Sequence, residues 1–142
     1  QYHEKIEDII ASLLNDSIVP ILISIHSFTR KFRDKIRPWE ISVLWDSDDR
    51  ISVPLINLLE SDNNYVIGDN QPYKGYLRGD TLFTHATSRG LPHVLIEIRN
   101  DLITDEDGQE KIANYLTKKL SQVISTNHKN LQNMIQYGTK SL

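Results

Sequence analysis

With 142 residues and 39% hydrophobic content, the chain can bury one core but not several. Its formal charge of −3, with no long Lys/Arg run, excludes the electrostatic footprint of a nucleic-acid binder. The absence of cysteine excludes disulfides and thiolate metal sites, so any metal would rest on histidine and carboxylate.

The first residues, Gln1 to Lys5, are charged where a signal peptide would be apolar, and they run straight into a helical rhythm. So abrupt a start is expected of a processed or partial chain. Ile6, Ile9, Ile10, Leu13 and Leu14 recur at helical spacing and give that helix one apolar face. Asn15-Asp16-Ser17 ends it. The β-branched run Ile18 to Ile25 reads as a strand buried on both faces, with Pro20 near its start. It is too short to span a bilayer. Residues 26–38 form a basic loop, and Glu40 to Trp45 a second strand.

Asp46-Ser47-Asp48 offers capping side chains to a helix bearing Ile51, Leu55, Leu58 and Leu59. A turn at 61–64 leads to a short strand, Tyr65 to Ile67, and then to a long irregular stretch, Gly68 to Asp80. Ordered loops of that length are often functional. Thr81 to Ser88 reads as a short helix or turn, Pro92 to Ile98 as a third buried strand, and Ile112 to Ile124 as an amphipathic helix. The tail, 126–142, carries a weak stripe of Leu131, Met134 and Ile135 and is expected to pack on a neighbour or fray. Strands alternating with helices predict a single α/β layered domain over 1–142 with a mixed, largely parallel sheet.

Three sets of residues could carry chemistry. His26 stands at the exit of the first strand, where sites of open α/β sheets collect and a neutral imidazole can meet a metal. On spacing alone, a strand-end histidine bonded to a backbone carbonyl explains it better. Glu97 lies inside Val94 to Ile98, and a carboxylate in such a strand is either paired or tuned for proton transfer. Arg99, two residues on, shares its face and is the obvious partner. Arg37, Arg89 and Arg99 adjoin chain-bending or strand residues, and guanidinium forks match carboxylates. Asn70, in the tight Gly68-Asp69-Asn70-Gln71-Pro72-Tyr73 turn, and His85 are further candidates, and His3 could face the same cleft. Glycine-rich phosphate loops and a G-x-S-x-G nucleophile turn are absent from the sequence.

Taken in order, four blocks resemble the N-formylglutamate amidohydrolases over residues 1–125. They are Ser24-Ile25-His26-Ser27-Phe28-Thr29, Arg37-Pro38-Trp39, Gly68 to Tyr73, and His85 with Arg89-Gly90-Leu91-Pro92-His93 through Ile103. The second likeness, more distant, is to zinc carboxypeptidases, which carry a similar Ser-Ile-His-Ser block and Glu-x-Arg strand. Arg30 departs from the proline usual after the Ser-Phe-Thr run. The resemblance implies a three-layer helix/sheet/helix fold like that of zinc exopeptidases, present here as an incomplete domain. It implies zinc as cofactor, His26 as one ligand with the others upstream of this chain, and Glu97 as general base for water.

The activity so implied is hydrolysis of N-formyl-L-glutamate or a related N-acyl amino acid to formate and the amino acid, in the cytoplasm. Arg37, Arg89, Arg99 and Asn70 would hold the substrate, and His85 would donate to the oxyanion. Neither nucleic acid nor membrane is expected as a partner, and an N-terminal segment is expected to complete the site. The competing reading is a truncated or diverged, non-catalytic carboxylate-binding domain.

Overall fold

The computed structural model describes residues 1–141. Helix α1 (Tyr2–Asn15) is followed by β1 (Leu22–Phe28), a small hairpin of β2 (Lys31–Phe32) and β3 (Lys35–Ile36), β4 (Ile41–Leu44) and α2 (Ser52–Glu60). Next come β5 (Ile67–Asp69), α3 (Thr81–His85), β6 (His93–Arg99), α4 (Glu106–Thr126) and α5 (His128–Leu131). Four strands form one mixed sheet in the order β1-β6-β4-β5. The β1–β6 and β4–β5 pairs are parallel and β4–β6 is antiparallel, so the predicted α/β class with a largely parallel sheet holds.

Strand side chains alternate between faces, and residues in register share one. On one face Ile41, Val43, Val94, Ile96 and Ile98 pack against Ile51, Leu55, Ile56 and Leu59, with Ile112, Leu116 and Val123 in the same core. Helices α2 and α4 therefore cover that side. A smaller cluster of Ile10, Ala86 and Leu91, with Ile6, Leu14 and Leu22, joins α1 and the α3 region to the other side. Among the described residues no helix is long and apolar enough to cross a membrane.

Several elements differ from the sequence expectation. The strand predicted at Ile18 to Ile25 begins at Leu22 and carries His26 within it. It is an edge strand, and Ile25 is 51% exposed where burial on both faces was expected. A continuous apolar run identifies a strand but not its place in the sheet. Residues 26–38 hold a hairpin in addition to a loop. Asp48 does not cap α2; its carboxylate takes the backbone N–H and side chain of Arg50 instead. Helix α4 starts six residues before Ile112, because Asp105 caps it through the N–H of Gly108 while its first turns are polar.

The tail does not fray. Arg50 Nη1 donates to the Asn133 carbonyl at 2.5 Å, Ile135 N–H to the Gly90 carbonyl at 2.8 Å, and Lys140 N–H to Asp46 Oδ1 at 2.7 Å. Leu131 of the predicted stripe is buried in the main core while Met134 and Ile135 stay exposed, so one apolar anchor together with these polar pins holds the tail as far as Ser141.

Candidate functional site

The face opposite the aliphatic core carries a polar row across all four strands. His26 is in register with Glu97, Glu97 with Ser42, and Ser42 with Gly68. Each neighbour in that row contributes to the geometry. Gly68 is required because an added Cβ would lie 2.4 Å from Ser42 Oγ and 3.0 Å from the Trp39 ring, so the tryptophan closes over the row only where the strand lacks a side chain.

Glu97 is the charged residue at the centre of the row. It is 6% exposed, yet Oε2 has no hydrogen-bond partner among the described residues, and neither has Ser42 Oγ beside it. Glu97 Oε1 lies 3.9 Å from His26 Nδ1, and the His26 side chain is 58% exposed. Burial raises the Glu97 carboxyl above the ordinary carboxylate range, and the charges of His26 and Arg37 pull partly against it. The imidazole and the carboxylate therefore leave neighbouring strands on one side of the sheet and meet.

The pairing with Arg99 that the strand spacing suggested does not form. Arg99 gives Nε and Nη2 to Asp101 at 2.6 and 3.1 Å, reaches Glu40 at 3.3 Å, and donates from Nη1 to the carbonyls of Pro38 and Trp39. Its fork is spent on structure. Arg89 is bound to Glu7 of α1 and holds that carboxyl below its usual range. Arg37 alone of the three has no carboxylate partner among the described residues; Nη1 donates to the Thr29 carbonyl and hydroxyl, both at 3.3 Å.

Asn70, at φ +51°, organises its loop: Oδ1 accepts from the N–H groups of Trp45 (3.0 Å) and Gly75 (2.9 Å). His85 is buried against α1. Its Nε2 is 2.8 Å from His3 Nδ1, the two rings stack, and Nδ1 lies 3.6 Å from Glu7 Oε2. The structure thus groups His26, Glu97 and the charge of Arg37, and separately groups His85, Arg89, His3 and Glu7.

Sequence reasoning overlooked Ser42 and Phe32, and took Tyr73 only as the end of the Gly68 to Tyr73 turn, with no role of its own. The first had a signal: it is the one hydroxyl in the otherwise apolar Ile41-Ser42-Val43-Leu44. The rings gave none, because only folding brings them to Arg37.

Zinc is a fair match to part of this arrangement. An exposed imidazole beside a buried carboxylate with an unsatisfied oxygen offers the ligand type and the base type that hydrolytic zinc sites use. Among the described residues, however, no group of three or more His, Asp or Glu could hold an ion, and a catalytic zinc takes three protein ligands.

A family model described as N-formylglutamate amidohydrolase matches residues 1–104. Among solved structures, the crystal structure of a gene product from Agrobacterium tumefaciens superposes with a TM-score of 0.81 at 33% identity. The likeness covers 87% of this chain and 49% of that one, so the chain spans about half the length of that relative. No curated protein matches.

Proposed function

We propose, from the premise that this chain belongs to the N-formylglutamate amidohydrolase family, that it supplies the general base and one zinc ligand for hydrolysis of an N-formyl or N-acyl amino acid. The observation that carries the reading is the His26–Glu97 pair, with Glu97 buried, unpaired at Oε2 and raised in pKa by burial. A carboxylate so placed keeps its basic oxygen for substrate and water, because no protein donor claims it. The His26 imidazole projects from the same row into solvent, where it can serve as a ligand.

Zinc, when bound by His26 and further ligands from outside these residues, would supply a Lewis acid that polarises the scissile carbonyl and acidifies water. Glu97 would take a proton from the attacking water at Oε2 and return it to the departing amine, giving formate and the amino acid when the acyl group is formyl. Trp39 packs over the Gly68 end of the row, while the His26 end is open to solvent. Beside His26, Arg37 is the guanidinium whose charge reaches Glu97, and with no carboxylate partner among the described residues it is the natural receptor for a substrate carboxylate. Asn70 binds through Oδ1 alone and Arg89 keeps Nε without a partner among the described residues, whereas Arg99 acts on substrate only if it releases the partners it holds here. His85 likewise reaches the reaction only if its bond to His3 opens.

The free edge of β1 supports completion by another polypeptide segment. Ile23 and Ile25 line an open groove of about 490 Å³ with Ile98, Ile112, Leu116 and Leu120 of the β6–α4 side. An edge with apolar side chains and unpaired backbone groups is where a further strand adds, and His26 lies on that same strand. A second reading, a non-catalytic carboxylate-binding domain, is favoured by one observation: the described residues hold no complete metal-ligand set.

Formate release from N-formyl-L-glutamate separates the readings when followed in a full-length family enzyme bearing these residues. Turnover that needs zinc and falls at least about a hundredfold in His26→Ala supports hydrolysis. Turnover indifferent to chelator and to that substitution removes it.

A further inference from the structure

Arg37 is 8% exposed and has no carboxylate partner among the described residues, while its unpaired nitrogens are not among the fully buried polar atoms and so are reachable from outside. With Nη1 given to Thr29, Nε and Nη2 meet no acceptor among the described residues. That edge of the fork is the one that binds both oxygens of a carboxylate. What holds the guanidinium in place is aromatic. Its central carbon lies 4.9 Å from the centre of the Phe32 ring and 5.0 Å from that of Tyr73, within cation–π range of each.

The two rings come from different elements. Phe32 stands on the β2–β3 hairpin, and Tyr73 on the loop whose ends Asn70 ties to Trp45 and Gly75. Both rings remain about half exposed, so they border open space and do not belong to the core. The hairpin carries Lys31, Arg33 and Lys35 against Asp34, a net positive charge, and Arg33 also lies over the Phe32 ring. A lysine at position 37 would lose the planar stacking and the two-point grip together.

We propose that Phe32 and Tyr73 are specificity-determining residues, a pair of rings that fixes Arg37 as the receptor for one carboxylate of the ligand. The inference rests on the amidohydrolase reading for the identity of the substrate, but not for the binding itself. Substrates lacking that carboxylate would be rejected through the unpaired guanidinium, and the rings set how sharply the fork is aimed.

Glutarate is a suitable probe, having two carboxylates and no amide to hydrolyse. Calorimetric titration of the full chain should show saturable binding that Arg37→Lys weakens by about tenfold or more. Tyr73→Leu and Phe32→Leu should each weaken it about three- to tenfold, and Tyr73→Phe should recover what Tyr73→Leu loses, since the ring face does the holding. Circular dichroism establishes that each variant is folded. The inference is overturned if folded wild-type chain shows no saturable binding, or if both leucine variants bind within about twofold of wild type. Glutarate binding through Arg37 without formate release in the family enzyme would keep this inference and remove the hydrolase reading. Formate release with ring variants unchanged in KM would do the reverse.

Discussion

On the side of the sheet covered by α2 and α4, the strands present aliphatic side chains almost without interruption, and Ile41, Val43, Val94 and Ile96 are fully buried. On the other side the same strands present His26, Glu97, Ser42 and Arg99. Of the buried polar atoms without partners among the described residues, two lie in this row and the others on His85 and Arg89. One face is satisfied by packing and the other left unsatisfied in places that chemistry can use. A strand such as β6 serves both, alternating residue by residue, so substitutions one position apart should fail in different ways.

The largest expected effect is catalytic. In a full-length family enzyme, Glu97→Gln should lower kcat by about 10²–10⁴-fold with the fold intact. A loss below tenfold in steady-state formate release would remove the general-base role. One residue earlier the effect should move to stability: Ile96→Ala, which opens the aliphatic face, should cost about 2–5 kcal/mol in urea unfolding. Equal stability losses from Ile96→Ala and Glu97→Gln would show that the two faces are not divided in this way. Gly68→Ala sharpens the comparison inside the polar row. Its Cβ would meet Ser42 Oγ and the Trp39 ring, and overpacking of this kind costs about 1–3 kcal/mol. A neutral result in the same assay would mean that Trp39 yields freely.

The smallest effects are in pH dependence, and the two sides should show opposite signs. Burial holds the folded Glu97 carboxyl above its ordinary value of about 4.3, so the folded state binds that proton more tightly. Its contribution is complete below that value and is lost as pH rises through the raised one, so Glu97→Gln should gain on wild type as pH increases. Asp62, tied to Lys119 of α4 at 2.6 Å, is lowered to about 2. Its contribution is complete above the ordinary value of about 3.9 and is lost as pH falls towards about 2. Asp62→Asn should flatten that acid limb in unfolding curves measured against pH.

Much of the scaffold could be read from periodicity, since α1, β4, β6 and the body of α4 each repeat their apolar residues at the spacing of their element. Glu97 was visible for the same reason, a charge interrupting β6. What periodicity cannot carry is the neighbour. Whether the Ile18 to Ile25 run sits inside a sheet or at its edge, whether Arg99 turns to Glu97 or to Asp101, and whether Phe32 and Tyr73 converge on Arg37 all depend on contacts between distant segments. Asp105 was missed differently: its cap precedes a polar first turn, and the apolar stripe that announces α4 begins only at Ile112.

The clasp between Arg50 and the last residues has a kinetic consequence. Its bonds join positions 83 apart in the chain, and Lys140 meets Asp46 across 94. Closing loops of that span requires the sheet and α4 to have assembled first, because only then is the entropy of bringing the ends together already spent. The C-terminal segment, residues 133–141, should therefore settle last on refolding and lift first on unfolding, opening the Gly90 corner while the aliphatic face is still intact.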